Sequence, residues 1–361
     1  DLGCFLQQPD VQFVAVCDVK ADRRTKVKAI ADEHHGNQDC STYRDFRELL
    51  DRNDIDAVLI ATGPNWHCTA AVYAALLCAY LFPEDFRDTR WGYVLTAWCA
   101  MIVRTFRFHI GLGLLALVLL AAARRMKRTL VALTPLLLFS LGPALGQLVP
   151  RDEDQPRDAA MRIMSANVLS TNRDLSGILG ELKRTDPDVV VLQEYSWHTH
   201  HAAHEVLKEI YPHQGIAWRD DSFGLAIYSK LPDAGEVDLF LPLAELVLPQ
   251  LRAVVRFQET EIVIYGVHLI PPKRISGTAQ GRLMFGALLE HLERETGPTV
   301  VLGDFNFTPN SAQSARLREA GFREAHGEAG WWRGSTWPVH GWRRCLPGIR
   351  LDQVYARGGL R

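Results

Sequence analysis

The 361-residue chain has no Cys-x-x-Cys pair among its seven cysteines, Cys4, Cys17, Cys40, Cys68, Cys78, Cys99 and Cys345. A structural zinc site needs closely spaced thiolates or imidazoles, so zinc is not expected. Only Cys345 lies beyond residue 100, which leaves the C-terminal part without an internal disulfide. A surplus of charge of one sign is missing too: 40 Lys plus Arg stand against 42 Asp plus Glu. That balance argues against a broad electrostatic surface for nucleic acid. What is plentiful is apolar residues, 47% of the chain, over a length sufficient for two domains.

Charge is absent altogether from two long apolar runs, Ile110 to Ala123 and Thr129 to Val149, separated by Arg124-Arg125-Met126-Lys127-Arg128. The second run is long enough to cross ~30 Å of hydrocarbon at 1.5 Å per residue, while the first must borrow Phe106 and Phe108 and snorkel Arg107. Together they read as a helical hairpin with its basic turn in the cytoplasm, so the segment after Val149 emerges on the extracytoplasmic side. Two buried helices of a soluble core are the alternative. A third apolar run, Thr69 to Phe82, is short for a span and stops at Pro83; it reads as the remainder of a membrane helix joined near Ala75. The charged stretch Arg151 to Asp158, with Pro150 and Pro156, reads as a linker.

Beyond the linker come apolar segments that each end a plausible strand with a polar group, so that one sheet edge is expected to collect Asn, Glu, His, Asp, Asn and Asp. Ala160 to Val168 carries Asn167, and Asp188 to Glu194 ends in Glu194. Ser222 to Ser229 follows, then Glu261 to His268, ending in His268. Pro298 to Leu302 runs into Gly303-Asp304-Phe305-Asn306, and Ile349 to Val354 carries Asp352. Strand side chains repeat every second residue, so Asp304 and Asn306 are expected on one side of the backbone. An Asx turn closing a loop is the competing reading of that pair.

In this order and spacing the segments from about Met161 to Arg361 resemble the endonuclease/exonuclease/phosphatase superfamily. The resemblance implies a DNase I-like four-layer α/β sandwich, two sheets face to face with helices outside, that hydrolyses phosphate esters with Mg²⁺ or Mn²⁺. It implies that Glu194 and Asn167 hold the metal, that Asp304 and Asn306 position the attacking water and the phosphoryl group, and that His268 stabilises charge on the phosphate. Asp352 matches the aspartate that orients the family's late histidine, which in the family lies in a Ser-Asp-His segment a few tens of residues further on. Only nine residues follow Asp352 here. The expectation is a C-terminally truncated domain that binds a cation and turns over slowly, general acid-base assistance being worth ~10²–10⁴ in rate.

At the other end, Val11 to Asp18 reads as a strand, Asp22 to Asp32 and Tyr43 to Leu50 as helices, and Asp54 to Pro64 as a second strand. This segment resembles the nucleotide-binding domain of the glucose-fructose oxidoreductase and inositol dehydrogenase family, where the Asp18 position would bind the ribose hydroxyls of NAD(P). The first strand and its Gly-x-Gly-x-x-Gly turn are not present, so an incomplete Rossmann-like fragment is expected. The organisation read from sequence is thus a fragment over 1–75, transmembrane helices over 76–149, a linker over 150–160 and the hydrolase over 161–361. Two tryptophan-dense stretches, Trp331-Trp332 and Trp337 to Trp342, read as core or rim packing, with stacking on bases or a lipid interface as the alternatives. Lys273, Arg274 and Arg282 are candidates for greeting substrate phosphate. The leading function is a membrane-tethered, metal-dependent phosphoesterase acting on nucleic acid, phospholipid head groups or sugar phosphates. An NAD(P)-dependent oxidoreductase and an inactive scaffold are the competing readings.

Overall fold

The computed structural model describes residues 6–9, 11–59, 72–74, 79–80, 85–86, 88, 90–147, 160–233, 237–239, 243, 248–339 and 341–360. The linker expected over 150–160 lies outside these except for residue 160, as do Ala75 and most of the run 69–82. The chain divides into two compact units, Asp1–Phe82 with Leu114–Leu136, and Pro83–Gly113 with Leu137–Arg361.

In the first unit, strand β1 (Ala15–Cys17) pairs in parallel with β2 (Ser41–Tyr43), connected by helix α1 (Ala21–His35) and followed by α2 (Phe46–Leu50). Helix α1 stops at Gly36, whose φ of 65° is the left-handed cap that glycine adopts without strain. Asp45 caps α2 by accepting from the Arg47 amide. The second strand expected over Asp54 to Pro64 is not seen: 51–59 are turns and irregular chain, and 60–64 lie outside the described residues. The partner of β1 comes earlier, at 41–43. Arg52 explains the turn after α2, since its guanidinium pairs with Asp54 and donates to the Val14 carbonyl at 3.2 Å, folding this segment back toward β1.

Helices α3 (Trp91–Thr105), α4 (Arg107–Ala123) and α5 (Lys127–Gly146) follow, and Arg125 takes a left-handed φ of 53° in the turn between α4 and α5. Of the described helices, α5 by itself is long and apolar enough to cross a membrane; α3 and α4 qualify as a pair but bend by 61° at their junction. Leu117, Leu119, Leu120, Val131, Leu138 and Leu145 are exposed along α4 and α5. Gly111 lets the two helices approach, because a Cβ there would lie 2.5 Å from Leu141 Cδ2.

The second unit contains two sheets. One has four strands in the order β3-β4-β6-β5: β3 (Ile163–Asn167), β4 (Val189–Gln193), β5 (His213–Ala217) and β6 (Leu225–Ser229). The other has five in the order β10-β11-β9-β8-β7: β7 (Leu251–Phe257), β8 (Thr260–His268), β9 (Thr299–Asp304), β10 (Arg323–Glu324) and β11 (Asp352–Arg357). Period-two alternation assigns the faces. Val189, Val191, Leu225, Ile227, Leu251, Ala253, Ile262, Ile264, Val300 and Leu302 form one apolar cluster between the sheets. The intervening residues Val263, Tyr265, Val267 and Val301 pack outward on Met284, Phe285, Leu288 and Leu292 of helix α6 (Ile275–Arg294). On the other flank, Val190, Leu192, Ala226 and Tyr228 meet Leu182 of α7 (Ser176–Thr185) and Ala203 and Leu207 of α8 (Trp197–Ile210). The result is helix, sheet, sheet, helix, the layering expected from sequence. Each fully buried Leu or Phe in these clusters contributes about 1.5–3 kcal/mol of transfer free energy.

Phe86 and helix α3, read from sequence as part of the membrane region, make contacts with the sandwich. Phe86 enters the cluster under α6 with its ring 4.9 Å from that of Phe285. From α3, the Trp98 indole donates to the Pro272 carbonyl at 3.0 Å.

Candidate active site

The candidate residues stand where strands of the two sheets come to the same edge. Asn167 is the last residue of β3, and Glu194 follows the last residue of its parallel neighbour β4. His268 and Asp304 are the last residues of the parallel pair β8 and β9, and are register partners. Asp352 opens β11 instead of closing it, because β11 runs antiparallel to β9, and that direction places it opposite Asp304. The sequence reading had it on a strand end; strand direction is the physical reason for the difference.

The Asn167 amide joins the sheets by donating to Glu194 Oε1 at 3.0 Å and to Asp304 Oδ2 at 3.1 Å. Its own oxygen accepts from the Leu169 amide at 3.0 Å, so the side chain is held at both ends. The second oxygen of Glu194 accepts from the Ser170 amide at 3.0 Å and from its hydroxyl at 3.2 Å. His268 Nε2 lies 3.7 Å from Asp304 Oδ2, close enough for electrostatic contact but beyond hydrogen-bond distance.

Asn306 reaches the site by a different route from the one expected. Strand β9 ends at Asp304, and Asn306 lies beyond it in a left-handed conformation with φ of 52°. Asp304 Oδ1 accepts from the Asn306 amide at 3.0 Å, which makes the pair an Asx turn. The Asn306 side chain donates to the Leu269 carbonyl at 2.8 Å, just past β8. The motif is therefore the Asx turn and not a continued strand: it closes a loop through Oδ1 while Oδ2 accepts from Asn167. Glu194 also takes a positive φ, 55°. Left-handed backbone costs a non-glycine residue roughly 1–2 kcal/mol, and such outliers collect where a side chain must be aimed.

Burial sets the electrostatics. Asp304 is held above the usual carboxylate range by desolvation, with the Asn306 amide and Asn167 opposing and the charge of Glu194 adding to the rise. Asp352 is pushed up to about 6, first by burial and then by the charge of Asp304. Its Oδ1 is buried without a hydrogen-bond partner. Desolvation pushes His268 down toward its neutral form, against the pull of Glu194 and Asp352 and of the Ser222 backbone. The carboxylates crowd one another, Glu194 raising Asp304 and Asp304 raising Asp352, and Asp352 Oδ1 is left without a donor. Among the described residues, no three His, Cys, Asp or Glu side chains stand close enough to enclose a metal. The set fits a small hard cation that keeps most of its water and takes one or two carboxylates, as Mg²⁺ does.

Three supports were not read from the sequence. Gln250 clamps the backbone of His268, donating to its carbonyl at 3.0 Å and accepting from its amide at 3.1 Å. The Phe223 ring lies 5.2 Å from the imidazole. The Thr336 hydroxyl accepts from the Leu351 and Asp352 amides at 3.0 and 3.1 Å. Gln250 had a signal, a polar residue immediately before β7 beside the polar end of β8; the other two sit in loops without period. Arg282, a sequence candidate for phosphate, is buried in α6, donates to the Asp85 carbonyl at 2.6 Å and lies over the rings of Phe86 and Tyr93. These contacts tie Asp85, Phe86 and Tyr93 to the sandwich. Asp18 lies in the other unit, where its carboxylate accepts from the Lys20 amide at 2.8 Å and stands 3.8 Å from Arg23.

A segment is 37% identical over 78 residues to a Glycosyl hydrolase family 109 protein of Saccharopolyspora erythraea, covering 20% of this chain and 17% of that relative. Among solved structures, a 3′ phosphatase from Neisseria bound to product DNA hairpin is 21% identical over 55% of this chain and 87% of its own, with a TM-score of 0.45. An AP endonuclease from Archaeoglobus fulgidus is 19% identical over 55% and 86%, with a TM-score of 0.46. The model of the Endonuclease/Exonuclease/phosphatase family matches residues 164–361, and with more than half of its length so matched the chain belongs to that family of phosphoester hydrolases.

Proposed function

We propose that the chain is a membrane-tethered, divalent-metal-dependent phosphoesterase whose site consists of Asn167, Glu194, His268, Asp304, Asn306 and Asp352. The observation that carries this reading is the Asn167 amide shared between Glu194 and Asp304 across two sheets, with His268 beside Asp304. Glu194 and Asn167 would hold Mg²⁺ or Mn²⁺, which when bound neutralises phosphate charge and polarises the ester. Asp304, kept above its ordinary range by burial, presents Oδ2 as a proton acceptor for an attacking water, while its Oδ1 stays engaged in the turn. His268, buried and neutral, holds an imidazole whose charging becomes favourable as negative charge gathers on the phosphoryl group. Asn306 and Gln250 fix these positions through Leu269 and the His268 backbone. Hydrolysis consumes water and leaves a phosphate monoester and an alcohol from a diester.

The exposed apolar faces of α4 and α5, and the basic turn between them, support anchoring of this hairpin in a bilayer with the hydrolase on the extracytoplasmic side. The contacts of Asp18 with Lys20, Arg23 and Arg24 do not add to the oxidoreductase reading.

The catalytic reading is tested with the purified full chain, bis(p-nitrophenyl) phosphate and Mg²⁺. Turnover should depend on the cation and fall ~10²–10⁴-fold in Asp304→Asn. A parent without cation-dependent turnover, or an Asp304→Asn variant as active as the parent, would sink it. Sidedness is read separately at Glu259, which is exposed between β7 and β8. A cysteine introduced there, as the sole one in the chain, should react with a membrane-impermeant maleimide in intact spheroplasts; labelling that requires lysis reverses the orientation.

A further inference from the structure

We infer that the tryptophan-bearing segment 331–346 is a lipid-contacting rim that seats the mouth of the site on the bilayer, so that the substrate is a phosphate ester carried in a membrane head group. The inference rests on the reading of α4 and α5 as a membrane hairpin and adds the surface and substrate class to it.

Two sets of contacts place the segment. The first ties it to one end of the hairpin. The Trp332 amide donates to the Gln147 carbonyl at 3.0 Å, one residue past α5. At the start of α4, the Arg333 guanidinium lies 3.8 Å from the centre of the Phe108 ring, and His109 Nε2 is 2.6 Å from the Pro347 carbonyl. The second set ties it to the site. Trp337 and Ile349 exchange backbone hydrogen bonds at 3.0 and 2.7 Å, and Thr336 holds the Asp352 amide.

Length then fixes depth. The 20 residues of α5, rising 1.5 Å each, span about 30 Å, which is the thickness of a hydrocarbon core. With the basic turn at one boundary, Gln147 stands at the other, and the segment attached there lies at the interface. Its outward side chains suit that place. Trp331 and Trp342 are 66% and 73% exposed, and Leu346 and Val339 are exposed beside them. Trp is enriched at membrane boundaries, where an apolar ring meets acyl chains and the indole N–H stays wet. Arg344 is exposed in the same segment and supplies a donor for anionic head groups. A stacking platform for single-stranded nucleic acid would use the same rings, but would want a cationic groove, and the chain as a whole carries a formal charge of -2.

The test uses the full chain reconstituted into vesicles of equimolar phosphatidylcholine and phosphatidylglycerol, with lipids brominated near the head group in one set. The double variant Trp331→Ser, Trp342→Ser is compared with the parent. Bromolipids should quench more of the parent's emission than of the variant's. Turnover of phosphatidylglycerol should fall at least about fivefold in the variant while turnover of soluble bis(p-nitrophenyl) phosphate stays within about twofold. Vesicle flotation reads the hairpin independently: a chain that does not float removes the membrane reading and this inference with it. A chain that floats but shows equal quenching in both forms overturns the rim alone. Loss of single-stranded DNA binding in the variant, with quenching unchanged, assigns the tryptophans to nucleic acid and also overturns it.

Discussion

Replacing Gly303 with alanine tests how closely the site depends on the spacing of β8 and β9. Gly303 has φ of 143°, and a Cβ there would lie 1.9 Å from the Val267 carbonyl oxygen. Real Cβ contacts stay beyond about 3 Å, so β8 and β9 would have to separate by roughly 1 Å, since both atoms are fixed to backbone. Val267 and Gly303 are register partners, and the next pair is His268 and Asp304. The displacement therefore passes directly into the 3.7 Å contact between those two side chains. Backbone strain and overpacking together should cost about 2–4 kcal/mol of stability. A misplacement of about 1 Å in a reacting constellation costs ~10²-fold in rate. Urea unfolding and Mg²⁺-dependent hydrolysis of bis(p-nitrophenyl) phosphate measure the two effects, with Gly297→Ala as the control because a Cβ there meets nothing within 4 Å. A Gly303→Ala protein within about 0.5 kcal/mol and twofold of the parent would refute the argument.

Glu194→Gln should weaken Mg²⁺ binding more than Asn306→Ala does, because Glu194 offers a charged oxygen while Asn306 is tied to the Leu269 carbonyl; calorimetry giving equal affinities in both variants and the parent would remove Glu194 as a ligand. Away from the site, Glu295 accepts from Arg252 and Tyr265 at 2.7 Å each, and these bonds outweigh its burial and hold its carboxyl below the usual range. A depressed folded pKa adds stability above the unfolded value and loses it as pH falls through the folded one. Glu295→Gln should thus cost ~1–3 kcal/mol at neutral pH, with the gap to the parent starting to close as the pH falls below the ordinary Glu value of about 4.3 and disappearing as it passes the lower folded value; a gap that shows no narrowing as the pH is lowered from about 7 through the acid range in thermal melts would contradict the linkage.

The readable part of this protein is the part where apolar runs stop at polar residues. Asn167, Glu194, His268 and Asp304 each stand at the end of such a run, because a buried strand tolerates an unpaired polar group only where it leaves the core. Strand direction was not readable, so Asp352 was placed at an end when it stands at a beginning. Asn306 was assigned to the right neighbourhood for the wrong reason, since period two stops with the strand and a turn takes over. Asp54 to Pro64 has a strand's composition, yet its first half turns on an Arg52 contact with residue 14, a long-range pairing that no local pattern encodes. Trp98 and Phe86 were hidden by being next to membrane-like sequence, although their partners lie on the sandwich. The surface tryptophans were expected to be packing groups, and Trp331, Trp337 and Trp342 are exposed.

The bond from Asn167 to Asp304 crosses from one sheet to the other, and this has a bearing on how the protein acquires activity during folding. Each sheet can complete its own ladder with its polar residues in place, and neither then possesses a site. Competence arrives only when the cluster between the sheets excludes water and brings the Asn167 amide of β3 within 3.1 Å of the Asp304 carboxylate of β9. A loosened state that retained both ladders but let the sheets drift apart would look native by far-ultraviolet dichroism and be catalytically silent. Hydrolytic activity would then report on the sheet-to-sheet contact, appearing last in refolding and vanishing first under mild denaturant.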